Sequence, residues 1–147
     1  MSSQEAQVQE QQTVVFRMGK ESYGIDIFRV HEIIRMCEIT PIPRTDSHIR
    51  GLVNLRGNTI PVVDLSARLE LEAVEETDST RIIVVESDKG NIGIIVDAVT
   101  EVITLQPDQI EGTPALVTDA ATDFVKAVAR REDHLVTLLD LDKTLAA

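Results

Sequence analysis

Short apolar runs separated by turn residues dominate the chain from Thr13 onward. Val14, Val15 and Phe16 form the first run, and Gly19-Lys20 follows as a turn signal. Tyr23, Ile25 and Ile27 then alternate with smaller or polar residues, the period-two pattern of a half-buried strand. Residues 27–34 (IFRVHEII) carry helical spacing at Ile27, Val30 and Ile34. The stretch is short and rich in β-branched residues, which favours a turn followed by a strand. Pro41 and Pro43 bracket Ile42 in an extended stretch. Asp46 or Ser47 is placed to cap a short helical turn through Ile49. In residues 52–65 (LVNLRGNTIPVVDL), Arg56-Gly57-Asn58 reads as the tip between two strands. Pro61 points to an edge position or a strand start for the second of these. Residues 72–80 are acidic and turn-rich and read as a solvated link. Apolar strands resume at 82–85 and 92–96, with Lys89-Gly90-Asn91 as the hairpin turn between them. Asp142 is placed to cap a last short helix, DKTLAA. Residues 1–12 are polar and Gln/Glu-rich, and too poor in apolar surface to offset ordering entropy, so they read as a disordered tail.

The pattern repeats. GIDIFRVHEII begins at Gly24 and GIIVDAVTEVI at Gly93, an offset of 93 − 24 = 69. At that offset Ile25 meets Ile94, Val30 meets Val99, Glu32 meets Glu101 and Ile34 meets Ile103. A second echo, VVDLSARL with LLDLDKTL, pairs Asp64 with Asp140 at an offset of 140 − 64 = 76. The second half therefore carries about seven more residues, placed in the loop around 107–123. Ordered self-similarity of this kind marks a duplicated unit. It predicts an all-β fold of two similar subdomains of about five strands within 13–147, with a boundary near 66–80. Neither is large enough to be very stable alone, so the two must pack on each other.

Composition narrows the class. With 147 residues, 43% of them hydrophobic and only 3% aromatic, Val, Ile and Leu must fill the core. The balance of 14 basic against 25 acidic residues gives a net charge of −11. That opposes nucleic-acid binding and attraction to an anionic membrane surface. Cys37 is the only cysteine, which fits a reducing cytosol. The first residues lack the pattern of a signal peptide, and no apolar run is long enough to insert in a membrane. The chain is expected to be cytosolic and complete from Met1.

Catalytic chemistry is not visible. His31, His48 and His134 form no ligand-spaced pair, so no metal and no cofactor are expected. Cys37 has no identifiable base. Asp64 and Asp140 end apolar strands, where catalytic carboxylates can occur, yet their repetition in both halves favours a turn or cap role. No phosphate loop, nucleophile elbow or CxxC is present. Arg56 differs from an ordinary surface cation. On a rigid turn between apolar strands it can pair with a carboxylate, either internal, with Glu32 as the natural choice, or on a partner.

The stretches YGIDIFRVHEII, ITPIPRTDSHIRGLVNLRGNTIPVVDL, TRIIVVE and GIIVDAVTEVITLQPDQIE, in this order over about 14–143, resemble the CheW family of bacterial chemotaxis coupling proteins. NLRG followed by IPVVDL is the most specific of them. The resemblance implies two interleaved SH3-like five-stranded β-barrels packed around a shared hydrophobic core. It also implies a non-catalytic adaptor that joins the cytoplasmic tip of transmembrane chemoreceptors to the regulatory domain of the histidine kinase CheA. Such an adaptor works at the inner face of the membrane, within receptor arrays. Receptor contact is implied for Val30, Glu32, Ile39, Thr40, Gly51, Arg56 and Val102, and kinase contact for Gly57, Arg81 and Gly93. The sequence departs from the family after Ile110, where EGTPALV replaces a more proline-rich stretch, and at Arg81, where some members have an aliphatic residue. A related adaptor serving pili or another non-flagellar output is the alternative. A small β-barrel ligand-binding protein or enzyme is the alternative from another class.

Overall fold

The computed structural model describes residues 10–43, 48–72, 75–111 and 124–145. The first half contributes β1 (Gln11–Met18), β2 (Glu21–Asp26), β3 (Val30–Arg35), β4 (Ile49–Leu55), β5 (Asn58–Asp64) and helix α1 (Leu65–Arg68). The second contributes β6 (Arg81–Ser87), β7 (Gly90–Val96), β8 (Ala98–Leu105), β9 (Ile110–Glu111), β10 (Val125–Arg131), β11 (His134–Leu139) and α2 (Leu141–Leu145). The ambiguous stretch resolves as a 3-10 turn, Ile27–Arg29, followed by β3. Asp26 caps that turn by accepting a hydrogen bond from the Phe28 N–H at 2.9 Å.

The protein is all-β, with two subdomains. One sheet has five strands in the order β3-β6-β7-β5-β4, and the other has six in the order β8-β1-β2-β11-β10-β9. The sixth is the two-residue β9, which pairs with β10 through Ile110↔Ala129 and Glu111↔Val128. The five-stranded sheet uses one continuous stretch of chain, β3 to β7, whereas the six-stranded sheet combines β1 and β2 with β8 to β11. The chain thus changes sheets at Ile27–Arg29 and again at Asp97, and the acidic link 72–80 joins two strands of a single sheet.

Two parallel ladders tie the repeats together. β2 pairs with β11 through Gly24↔Leu138, and β7 pairs with β5 through Gly93↔Val62. Both glycines of the repeat sit at these crossings. A Cβ on Gly24 would lie 2.7 Å from Thr13 Cγ2 and 3.0 Å from Leu138 Cδ2, and one on Gly93 2.8 Å from Ile82 Cγ2. Close approach of neighbouring side chains explains why glycine stands there in both halves.

The apolar runs are continuous because the central strands are covered on both faces. In β1, Val14 and Phe16 enter the central core, while Val15 joins a separate cluster with Leu105, Val136 and Leu138. In β6, Ile83 and Val85 face the centre, while Ile82 and Val84 pack with Val53, Ile60 and Val62. Each subdomain has its own interior, and the central core draws on both halves. Phe16, Ile25, Leu65, Ile83 and Ile94 are fully buried in it. Each such side chain contributes about 1.5–3 kcal/mol on burial.

Several local expectations are corrected. Pro61 lies inside β5, an interior strand, and not at an edge or strand start. It is tolerated because Leu52, its partner on β4, directs its own N–H and C=O to Thr40 instead, and the ladder to β7 begins only at Val62. The β6–β7 turn is Asp88-Lys89, with Gly90 already opening β7 at φ +106°. Asp140, not Asp142, caps α2, accepting from the Lys143 N–H at 3.1 Å. β1 begins at Gln11, opposite Leu105, two residues before the expected start of the fold. The capping role proposed for Asp46 or Ser47, the tail over 1–9 and most of the 107–123 loop lie outside the described residues.

Candidate functional site

The β4–β5 hairpin closes on a two-residue loop in which Arg56 and Gly57 both have positive φ, +53° and +88°. Such a left-handed pair matches the twist of a tight hairpin. It is unusual for an arginine, which pays a steric cost there. Asn54 Oδ1 steadies the loop by accepting from the Gly57 N–H at 3.0 Å. From this tip the Arg56 guanidinium donates to Glu32 Oε2 at 2.7 Å. Glu32 belongs to β3, where a bulge in the pairing with β6 falls between Val30 and Glu32. Arg56 keeps 66% of its side chain exposed and Glu32 only 25%, so the pair is a half-sunk carboxylate with an accessible cation above it.

Beside it the chain doubles back. Thr40 and Leu52 exchange both backbone hydrogen bonds, at 2.8 and 2.9 Å, which closes the β3 side of the subdomain onto β4. Gly51 makes this closure possible. It has φ +149°, and a Cβ there would stand 2.2 Å from the Thr40 carbonyl oxygen and 2.9 Å from Ile39 Cγ2. Ile39 packs on the interior together with Ile34, Met36 and Leu55.

The structure therefore brings Glu32, Ile39, Thr40, Gly51 and Arg56 to one side of the five-stranded subdomain. Val30 is half-buried against the central core. Val102 is on the other sheet, opposite Val14 on the edge strand β8, with 56% of its surface exposed. Of the residues implied for kinase contact, Gly57 is exposed at the hairpin tip and Gly93 is buried at the parallel crossing. The Arg81 guanidinium donates to the carbonyls of Asp78 and Thr80 at 2.8 and 2.9 Å, so it is held at the mouth of the acidic link.

Sequence reading missed three features. Phe28, Ile33 and Leu135 are large apolar side chains left exposed, Phe28 at 79%. Alternation along β3 gives the signal for Ile33, since it flanks the half-buried Glu32. Two further Glu–Arg pairs, Arg131–Glu101 at 3.6 Å and Arg130–Glu111, occupy the six-stranded subdomain. The repeat had already matched Glu101 to Glu32. The third feature is a pair of arginine clamps on α2. Arg29 donates to the Glu86 carbonyl and to Asp142. Arg68 donates to the Thr144 carbonyl at 2.7 Å and lies 4.9 Å over the Phe124 ring.

Asp64 and Asp140 are caps. Asp64 Oδ1 accepts from the Ser66 N–H and hydroxyl at 3.1 and 2.7 Å. A polar cleft of about 200 Å³ is lined by Asp26, Lys126 and Asp140 together with the Arg29–Asp142 ion pair. Among the described residues, no group of three or more His, Cys, Asp or Glu side chains could hold a metal ion. No helix among them is long and apolar enough to cross a membrane.

A family model described as a CheW-like domain matches residues 12–147. The chain belongs to the CheW family. It is 34% identical to the chemotaxis protein CheW of Rhizobium meliloti over 129 residues, covering 88% of this chain and 83% of the relative. It is 32% identical to the CheW of Klebsiella aerogenes over 137 residues, covering 93% and 82%. The crystal structure of the scaffolding protein TtCheW from Thermoanaerobacter tengcongensis superposes with a TM-score of 0.86 at 39% identity, covering 94% of this chain and 89% of that one. The CheW family is one of scaffolds and adaptors, not enzymes, and this chain is a non-catalytic member of it.

Proposed function

We propose that this chain couples transmembrane chemoreceptors to the histidine kinase CheA, working in the cytoplasm at the inner face of the membrane within receptor arrays. The observation that carries this reading is the Glu32–Arg56 pair on the closed side of the five-stranded subdomain. A guanidinium fixed on a strained two-residue loop, with two thirds of its surface open, offers a partner a directed cation. The exposed Thr40 and the open part of Ile39, backed by the buried Gly51, adjoin it, and an amphipathic receptor helix can lie there while the charges set its register. Val30 and Val102 lie apart from these residues, and their receptor role requires a footprint that crosses the seam between the subdomains. Kinase contact is proposed for Gly57, Arg81 and Gly93, with Gly57 and Arg81 at opposite ends of the five-stranded sheet. Gly93 acts through close strand packing, since it presents no side chain to a partner.

The test is binding of the purified chain to a CheA regulatory domain and to receptor-containing membranes, separately and together. Saturable binding to both, at roughly tens of micromolar or better, is the expected result. Absence of binding to either at that concentration would sink the proposal.

A further inference from the structure

The boundaries of the repeat and the boundaries of the sheets do not coincide. Within the first half, β1 pairs with β2 and β4 with β5. Within the second, β6 pairs with β7, and β10 with β11 and β9. The four remaining ladders all cross between halves: β1 with β8, β2 with β11, β3 with β6 and β5 with β7. Each half therefore sends its leading hairpin, β1–β2 or β6–β7, into the sheet completed by the other half. At the repeat offset of 69, the β1·β8 ladder is the counterpart of β6·β3. The parallel β2·β11 ladder is likewise the counterpart of β7·β5. This is the arrangement of two identical units that have exchanged hairpins.

We infer that the two halves are obligate complements, equivalent to a hairpin-exchanged dimer joined by a dispensable connection. The binding partner of residues up to the acidic link is the second half, whether of its own chain or of a second copy. Three observations converge on this. The β1–β2 hairpin has no ladder with β3, β4 or β5, so its pairing edges are satisfied only by β8 and β11. The central core holds Phe16, Ile25 and Leu65 from one half against Ile83, Ile94 and Leu141 from the other, so separation would expose both sides of it. Arg68 of the first half and Thr144 of the second hold the two helices together across the same junction. The described part of the link adds little: residues 75–79 are exposed, and their hydrogen bonds run mainly between Thr77, Ser79 and Thr80 and from Arg81 to the Asp78 carbonyl.

The inference is tested on the full chain with a protease site inserted after Glu76. The uncleaved protein must first give the same thermal transition as the natural chain. After complete cleavage, the two fragments should elute together at the size of the intact protein and unfold in one transition. The midpoint of that transition, independent of concentration before cleavage, should then fall on dilution, because unfolding has become dissociation. Fragments that separate on the column without denaturant, or that melt as two independent species, would overturn the inference. A second measurement needs no alteration of the chain. Native-state hydrogen exchange of the intact protein should show the β1–β2 amides opening in the same unit as β8 and β11. Protection of β1–β2 after β8 and β11 have exchanged would overturn it directly.

Discussion

Arg56 combines two properties that usually occur apart, a left-handed backbone and a charged side chain in use. The cation of its ion pair with Glu32 is largely exposed, and pairs open to solvent on that side contribute about 0–1 kcal/mol. Replacing Arg56 with Ala is therefore expected to leave the fold intact, with a circular-dichroism melt close to that of the natural chain. Replacing it with Gly should give a protein more stable than the Ala variant by roughly 1 kcal/mol, because φ +53° costs glycine nothing. Both variants should lose receptor coupling to a similar degree in co-sedimentation. If coupling survives in Arg56→Gly and fails in Arg56→Ala, the loop geometry and not the guanidinium is what the partner reads. At this scale the sequence was informative about the pair and its tip, because NLRG sits between two apolar runs and Glu32 is the opposite charge in the same half. It was uninformative about Phe28. An exposed aromatic in the stretch 27–34 reads in the sequence like its half-buried neighbours Ile27, Val30 and Ile34, and only the Asp26-capped 3-10 turn puts it outside.

Among the elements, the two short helices depend on equivalent aspartates. Asp64 accepts from Ser66 and Asp140 from Lys143, and neither helix exceeds five residues. Helices this short do not stand on propensity and hold only through caps and tertiary contacts. Asp64→Ala and Asp140→Ala should each lower stability by about 1 kcal/mol in urea titrations, with Asn tolerated better than Ala at both positions. An equal effect of Asn and Ala would assign these carboxylates to something other than capping. The repeat made their shared role readable from the sequence. It did not reveal that Pro61 could lie inside an interior strand, because that depends on Leu52 turning its hydrogen bonds toward Thr40. Nor could alternation identify β1 and β6 as strands covered on both faces. Their runs are uniformly apolar, and the division into central and peripheral sides appears only when both sheets are in place.

For the whole molecule, the all-β class and the doubling were legible from turn-punctuated apolar runs and from the two offsets. Which strands share a sheet was not. Adjacent strands in the sequence usually pair, and β1–β2 and β4–β5 obey that tendency, but β3 leaves its own neighbours to pair with β6. Nothing in a strand's composition encodes such a choice. A large-to-small change in the shared core should reflect the shared construction. Ile83→Ala, at a fully buried site, is expected to cost about 2–5 kcal/mol and to lower the melting of both sheets in one transition. Two resolved transitions, with only the five-stranded sheet weakened, would contradict a common core.

The pairing of β3 with β6 also bears on how genetic data for this protein should be read. Apart from Arg56, a lesion at Glu32 has its strand-pairing neighbours around Val84, some fifty positions along the chain, and not in the β1–β2 hairpin that immediately precedes it. Second-site suppressors that restore a distorted β3 should therefore accumulate in 82–85. A suppressor map drawn along the sequence would make them look like lesions in a separate functional region, when they repair the same edge.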